Sequence, residues 1–564
     1  MSRLSVRLLS FGAVFAAGAV LLLAQPDISG VWVLKIPRGD GTFRKTFYEL
    51  KQDGQTVTMA TMGAGRGPVA PAPPAQPPAG APPAAGRGGG RGPAMPMTAT
   101  FAGGKIRFEM GGRGGFGQQK QPAAPTVYEG PLEGGKFVLA ITGGGGGGGR
   151  GGPAPTTAVL ERSTREAFDL PRLPLPEFHT VKSNGLAKTP PMGWNSWNLF
   201  RGRVDDKLVR EIADAMITSG MKKAGYIYVN IDDTWEGESR DAQGNMTTNT
   251  KFPDMKALAD YVHSKGLKIG IYSSPGPTTC QQYEGSYGHE AQDAKTFAQW
   301  GIDYLKYDWC GASRVYTDED MHAAYQKMGD ALLKAGRPIV YSLCQYGRAK
   351  VWEWGPSVGG NLWRTTGDIG DRWQSMENLG FGPSIPGGIR QPNQPAPPNL
   401  TQLDIAKASN VGHWNDPDML EVGNGGMTAD EYRTHFALWC MLRAPLLAGN
   451  DIRTMTQETK DILLNTEVIA IDQDAAALPA KLASREGTSD VIVRPLKDKS
   501  TAVALFNRGD QATTISVTWN AIGLGGKKLR GRDLWKHEAV ELSGDRYSTS
   551  VPSHGVVLLK VSAQ

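Results

Sequence analysis

Gly301-Ile-Asp-Tyr-Leu-Lys-Tyr307 is a short apolar run that starts on a glycine and leads directly into an aspartate, Asp308. The same design recurs on either side of it. Ala224-Gly-Tyr-Ile-Tyr-Val-Asn-Ile231 precedes Asp232, Gly266-Leu-Lys-Ile-Gly-Ile-Tyr272 ends on a tyrosine, and Arg337-Pro-Ile-Val-Tyr-Ser342 ends on a serine. Between the runs lie patterns with apolar residues three and four apart, such as Leu208/Ile212/Met216, Leu258/Val262 and Ala294/Phe297/Ala298, as amphipathic helices require. Gly220, Gly266, Gly301 and Gly336 stand where helix C-caps belong. The strand ends at Asp232, Tyr272, Asp308 and Ser342 are 34 to 40 residues apart, one βα unit per step. Residues 185–475 hold eight such units at this period, so the expected fold is a (β/α)8 TIM barrel. A doubly wound open sheet is the alternative. It accounts less well for acidic and aromatic residues at nearly every strand end, which is what a barrel mouth requires.

The flanking segments have a period of two. In residues 25–165, Gly30-Val-Trp-Val-Leu-Lys-Ile36, Gln55-Thr-Val-Thr-Met-Ala60, Lys105-Ile-Arg-Phe-Glu-Met110 and Lys136-Phe-Val-Leu-Ala-Ile141 alternate between turn residues, which predicts a small antiparallel β domain. Two Gly/Pro/Ala-rich insertions, 63–94 and 143–155, cannot build a core and are expected as flexible loops. The glycine run meets a GxGxxG pattern trivially and no helix follows it, so it carries no nucleotide-binding signal. In residues 476–564, Asp490-Val-Ile-Val-Arg494, Thr501-Ala-Val-Ala-Leu-Phe506, Thr514-Ile-Ser-Val-Thr-Trp519 and Gly555-Val-Val-Leu-Leu-Lys-Val561 predict an antiparallel β sandwich. Residues 1–24 resemble an export signal: Arg3 and Arg7, an apolar run from Phe11 to Leu23, then Ala24. A membrane anchor is the alternative, but the run is too short to span a bilayer. A secreted or periplasmic protein with no membrane span after signal cleavage is expected. The net charge of +6 over 564 residues forms no basic stripe, so there is no case for a nucleic-acid partner. None of the four cysteines, Cys280, Cys310, Cys344 and Cys440, has the CxxC spacing of a zinc site.

Acidic residues gather at the predicted strand C-termini: Asp232 and Asp233, Asp308, Asp368 and Asp371, Asp416 and Asp418. Catalytic groups of a (β/α)8 barrel come from these ends, and several carboxylates converging on one mouth point to function. Trp194, Trp197, Trp235, Tyr272, Trp309, Trp363 and Trp414 lie beside them, and Lys306 and Arg364 add fixed donors. Aromatic faces with many acceptors suit a sugar, which has an apolar C–H face and a rim of hydroxyls. Two carboxylates suffice to cleave a glycosidic bond, one attacking the anomeric carbon and the other protonating the leaving oxygen. Asp308 is best placed to attack. Lys306, two positions earlier on the same strand face, would keep it ionised. Asp368, four residues after Arg364 on another wall, suits the proton donor. Taken alone, Asp232–Asp233 has a cap-and-turn pair as its alternative and Asp416–Asp418 a plain turn, while Asp371 reads as structural rather than catalytic. A divalent metal site is a rival reading, as in enolase-type barrels, but Lys306 and Arg364 are poor company for a cation. No metal or organic cofactor is expected. A non-catalytic glycan-binding protein is the rival from another class.

The segment from Gly185 to Asp474 resembles glycoside hydrolase family 27, the α-galactosidases and α-N-acetylgalactosaminidases. The resemblance is carried by Gly185-Leu-Ala-Lys-Thr-Pro-Pro-Met-Gly-Trp-Asn-Ser-Trp197, Asn230-Ile-Asp-Asp-Thr-Trp235, Tyr261-Val-His-Ser-Lys-Gly-Leu-Lys-Ile-Gly-Ile-Tyr272, Asp303-Tyr-Leu-Lys-Tyr-Asp-Trp-Cys310, Trp363-Arg-Thr-Thr-Gly-Asp368, Trp414-Asn-Asp-Pro-Asp-Met-Leu420 and Ile469-Ala-Ile-Asp-Gln473. It implies a retaining double displacement with Asp308 as nucleophile and Asp368 as acid/base, on a carbohydrate substrate. It implies galactose-binding roles for Trp197, Asp232, Asp233, Tyr272, Lys306, Arg364 and Asp418, the Asp232–Asp233 pair holding the 4- and 6-hydroxyls. It also implies a disulfide between Cys280 and Cys310. Gln345 stands where many α-galactosidases have Glu, in a region that contacts the sugar's 2-substituent, which leaves α-N-acetylgalactosaminidase and β-L-arabinopyranosidase as alternatives. Thr234 replaces a cysteine common at that place. The N-terminal β domain lies outside the resemblance.

Overall fold

A computed structural model of the chain describes residues 25–62, 96–111, 124–143, 155–388, 395 and 397–564. The predicted export signal lies outside the described residues. So does residues 63–94, and so does all of 143–155 but Gly143 and Pro155.

The alternating N-terminal segments form eight strands: β1 (Gly30–Pro37), β2 (Phe43–Asp53), β3 (Thr56–Thr61), β4 (Met97–Ala102), β5 (Lys105–Met110), β6 (Thr126–Glu133), β7 (Lys136–Gly143) and β8 (Thr157–Arg162). Each pairs antiparallel with its successor, and β8 returns to β1 with Val159 opposite Lys35 and Arg162 opposite Trp32, so the sheet closes into a barrel. Closure leaves no unpaired edge. Alternate side chains fill the interior, with Trp32, Phe101, Phe108 and Phe137 all buried. Among the described residues the barrel interior is therefore a packed core.

From Ser163 the chain runs along the flank of the next domain, where Leu173 N donates to the Tyr287 hydroxyl (2.8 Å) and His179 pairs with Asp330 (2.9 Å). Eight parallel strands follow: β9 (Met192–Asn195), β10 (Tyr228–Asn230), β11 (Lys268–Ser273), β12 (Tyr304–Asp308), β13 (Val340–Cys344), β14 (Leu362–Arg364), β15 (Trp414–Asp416) and β16 (Leu446–Ala448). Their order is β15-β14-β13-β12-β11-β10-β9-β16. Just beyond β15, Leu420 N donates to Leu447 O (2.8 Å) and Gly449 N to Leu420 O (2.9 Å), a parallel bridge between the two ends of the row. Helices alternate with the strands. Asp206–Thr218 and Met255–Ser264 are N-capped by the side chains of Asp205 and Asp254, and turn their apolar stripes to the strands. Gly220, Gly266, Gly301 and Gly336 all adopt positive φ just past helix ends, as their placement predicts. One expectation shifts: the run Ala224–Ile231 is strand only over Tyr228–Asn230, because Gly225 (φ +110°) turns the chain first.

The C-terminal strands β17 (Lys481–Glu486), β18 (Ser489–Pro495), β19 (Thr501–Asn507), β20 (Thr513–Thr518), β21 (Leu529–Asp533), β22 (Glu538–Val540), β23 (Arg546–Val551) and β24 (Val556–Ala563) form two antiparallel sheets, β17-β18-β19-β24-β21-β22 and β20-β23. Val503, Leu505, Val517 and Trp519 are buried together in the cluster between them. The other face of the larger sheet, through Phe506 and Leu558, joins the core of the parallel domain. No helix among the described residues is long and apolar enough to cross a membrane.

Candidate active site

At and beyond the C-terminal ends of the parallel strands, Asp232, Asp233, Tyr272, Lys306, Asp308, Arg364, Asp368 and Asp418 interact as one network. β10 ends one residue before Ile231, and the next two positions present Asp232 and Asp233, both buried. Asp232 Oδ2 accepts from Lys306 Nζ (2.7 Å) and from Asn195 Nδ2 (2.9 Å). Asp233 accepts from the Thr279 hydroxyl (2.8 Å) and from Gln281 N (2.7 Å), both on the loop after β11. Burial, with the charges of Asp232 and Asp308 nearby, pushes Asp233 up to about 7 against the pull of these two donors.

Lys306 and Asp308 share a face of β12, but sharing a face does not make them partners. The direct contact of Lys306 is Asp232, and its ammonium lies 5.2 Å from the centre of the Tyr272 ring. Asp308 is instead held by the Tyr346 hydroxyl, 2.7 Å from Oδ1, and by the Cys344 thiol. Burial raises the Asp308 carboxyl; the charge of Lys306 and the Tyr346 hydrogen bond oppose that rise. Tyr272 is fully buried, and its hydroxyl meets no partner among the described residues.

Arg364, at the end of β14, is a buried hub. Its Nη2 donates to Asp368 Oδ1 (3.1 Å) and Thr366 O (3.1 Å), and pairs with Asp418 Oδ2 (3.1 Å). Its two carboxylate partners differ sharply: the Asp368 side chain is 69% exposed, that of Asp418 only 7%. For Asp368, the partial desolvation at the rim of the mouth, which raises the carboxyl, is outweighed by Arg364 and Lys306, and the group falls below the usual carboxylate range. Asp418 is raised, chiefly by burial, and also accepts from Ile369 N (2.7 Å) and Met419 N (2.8 Å). Its backbone is left-handed, φ +102°; that of Thr234, beside Asp233, is too, at φ +91°. Positive φ in a β-branched residue is a strained conformation that its surroundings must impose. Trp197, half-buried, starts the helical turn after β9, its backbone N–H donating to Asn195 Oδ1 (2.8 Å). Asp371 lies outside this network; it accepts from Tyr432 (2.8 Å) and Gly426 N (2.6 Å) and organises a loop.

Cys280 and Cys310 are joined by a disulfide that ties the loop after β11 to the loop after β12, while Cys344 and Cys440 are buried thiols. The loops cross tightly enough that a Cβ on Gly311 would overlap the Thr278 carbonyl. Among the described residues, the convergent set of potential metal ligands is Cys280, Asp308 and Cys310, and both of its sulfurs are committed to the disulfide. Groups of the site not foreseen from sequence include Tyr346, which touches Asp308; Thr279 and Gln281, which touch Asp233; and Asn195, which touches Asp232. Asn195 and Thr279 stand at strand and loop positions with no local signal, whereas Tyr346 follows Gln345 directly.

The family model described as "Alpha galactosidase A" matches residues 189–474, and that described as "Alpha galactosidase C-terminal beta sandwich domain" matches 486–561. An alpha-galactosidase of Cyamopsis tetragonoloba is 45% identical over 378 residues, 66% of this chain and 86% of its own length. Alpha-galactosidase A of Cellvibrio japonicus is 46% identical over 394 residues, 68% of this chain and 94% of its own. The crystal structure of alpha-galactosidase I from Mortierella vinacea, 37% identical, superposes with a TM-score of 0.61 over 68% of this chain and 99% of its own.

Proposed function

This chain belongs to the α-galactosidase family, glycoside hydrolase family 27, and on that premise we propose that it hydrolyses terminal α-D-galactosyl residues by a retaining double displacement at Asp308 and Asp368. The observation that carries the reading is the pairing of two unlike carboxylates across one mouth. Asp308 is buried at a strand end with a hydroxyl donor; Asp368 is exposed on a loop with an arginine. In the first step an Asp308 oxygen attacks the anomeric carbon while Asp368 protonates the departing oxygen. In the second, Asp368 takes a proton from water, and the hydroxide equivalent displaces Asp308.

The free site favours the second step. Arg364 holds Asp368 deprotonated, as a base requires. To act first as an acid, Asp368 must gain a proton, and that requires its contact with Arg364 to loosen. Arg364 can release it because Asp418 remains as a buried counter-charge. Substrate entering the mouth supplies the cause of that loosening. Asp232, Asp233, Lys306, Arg364 and Asp418 surround the glycone with charged hydrogen-bonding groups, and Trp197 and Tyr272 supply the aromatic walls. A site built to pair the 4- and 6-hydroxyls of galactose discriminates against sugars that leave those groups unpaired. The disulfide and the apolar run Phe11–Leu23 support an exported enzyme, secreted or periplasmic.

The test is release of p-nitrophenol from p-nitrophenyl α-galactoside by wild type and by Asp308→Asn, in EDTA. Release by wild type alone supports sugar and nucleophile. Preference for the N-acetylgalactosaminide or the β-L-arabinopyranoside keeps the mechanism and moves the specificity. Near-wild-type turnover by Asp308→Asn overturns the mechanism, and silence on all three substrates favours a glycan-binding protein.

A further inference from the structure

The turn between β1 and β2 of the N-terminal barrel, residues 38–42, reaches two loops of the catalytic mouth at once. The Asp40 carboxylate is buried and accepts from the Tyr283 hydroxyl (2.6 Å) and from its own turn, Thr42 N (3.0 Å) and Thr42 Oγ1 (2.6 Å). The Asp40 carbonyl accepts from Thr250 N (3.1 Å), on the loop that follows Asp233. Gly41, at φ +83°, sits where a Cβ would come within 3.1 Å of Thr250 Cγ2. Arg38 lays its guanidinium 3.9 Å from the centre of the Tyr283 ring and donates from Nη2 to Gln281 O (2.6 Å). Into β2, Phe43 N (2.8 Å) and Lys45 Nζ (2.6 Å) both bind the Glu238 carboxylate.

Gln281 is the link. Its N–H donates to Asp233 Oδ2 (2.7 Å) and its carbonyl accepts from Arg38 (2.6 Å). Thr279, whose hydroxyl holds the other Asp233 oxygen, also accepts from Tyr283 N (3.0 Å). Both ligands of Asp233 thus belong to a five-residue stretch, 279–283, whose outer side is held by the turn of another domain. The family models that match the chain begin at residue 189 and leave this domain unassigned.

We propose that the N-terminal barrel is a working part of the active site: its β1–β2 turn fixes the 279–283 loop and thereby aims Asp233 at the sugar, with Arg38, Asp40 and Tyr283 as positioning residues. This rests on the reading of Asp233 as a galactose ligand. Removing a positioning residue leaves Asp233 in place but lets its donors wander, so the loss appears in galactoside recognition and is coupled to Asp233 itself.

The experiment is a double-mutant cycle in full-length protein, read as kcat/KM on p-nitrophenyl α-galactoside, with thermal melts to check folding. Arg38→Ala is expected to lower kcat/KM about tenfold, equivalent to about 1.4 kcal/mol. In an Asp233→Asn background it is expected to change kcat/KM by less than about twofold, and in an Asp418→Asn background to keep its full effect. Equal losses in all three backgrounds, or no loss in the wild-type background, overturn the proposal. If Arg38→Ala does not fold, Tyr283→Phe, which deletes one oxygen, takes its place in the cycle with the same criteria. Wild-type protein that cleaves no galactoside removes the functional reading, and this proposal with it; wild type that cleaves normally beside unaffected turn variants removes the proposal alone.

Discussion

The Tyr346 hydroxyl donates to Asp308 Oδ1 at 2.7 Å and lies 3.2 Å from the Cys310 sulfur, so the proposed nucleophile and the disulfide share one phenol. That hydrogen bond favours the ionised carboxylate and works against burial, which raises the group. Tyr346→Phe removes it. The Asp308 carboxyl then titrates higher. Asp368 titrates below Asp308 in the free enzyme and must carry the proton in the productive form, so the Asp308 ionisation sets the alkaline limb of the kcat/KM profile, and that limb moves up by about one pH unit. The acid limb, set by Asp368, stays where it is. A profile from pH 3 to 9 on an aryl galactoside reads the shift.

Asp368→Ala separates the two roles of its carboxylate. A p-nitrophenolate leaving group departs without a proton, whereas a sugar alkoxide cannot. The variant should lose about 10²–10⁴-fold in kcat/KM on a galacto-oligosaccharide and much less on the aryl substrate. Steady-state comparison of the two substrates checks this; equal losses would remove Asp368 from proton transfer.

Lys306 is the ammonium partner of Asp232, with side chains 17% and 3% exposed. Lys306→Ala strands a buried carboxylate with Asn195 as its remaining side-chain donor. Breaking one half of a buried pair is strongly destabilising, here about 3 kcal/mol. Denaturant unfolding measures the loss. The double variant Lys306→Met/Asp232→Asn should recover much of it without recovering activity.

Asp233, Asp416 and Glu421 are buried carboxyls raised to about 7, about 6 and about 7, from ordinary values of 3.8, 3.8 and 4.5. In each case burial is the leading cause. Below the ordinary values both folded and unfolded chains hold these protons. As pH rises, the unfolded chain releases them first, so stability falls between about pH 4 and 7. Calorimetric melts should show that decline, and Asp233→Asn, which cannot ionise, should flatten part of it.

Much of the barrel and its mouth was legible because both follow local rules. Strand spacing and terminal acids mark a βα unit wherever they recur, and so Asp308 and Asp368 could be proposed from their positions, whereas Asp418 was singled out only by the resemblance. Partnership was not legible. Lys306 shares a face with Asp308 by the two-residue period, but which carboxylate it binds depends on the neighbouring strands, where Asp232 is the one it reaches. Tyr346 and Thr279 reach Asp308 and Asp233 from sequence distances of 38 and 46 residues, across loops no periodicity describes. Alternation in β1, β3, β5 and β7 told of an antiparallel sheet, but an open sheet and a closed barrel share that pattern; the decisive pairing, β1 with β8, spans the whole domain.

The left-handed backbones of Thr234 and Asp418 set backbone strain against side-chain contacts at two identifiable points. Glycine would relax each by about 1–3 kcal/mol. At 418 it would also delete the carboxylate that balances Arg364, and at 234 the hydroxyl that accepts from Lys251 (3.0 Å). Stripping the buried Arg364 of its buried partner costs about 3 kcal/mol, which offsets the relief of backbone strain at 418. Selection of variants for heat resistance would therefore gain nothing from glycine there and would have to find its thermal gains elsewhere, in the C-terminal sandwich or the rest of the N-terminal barrel.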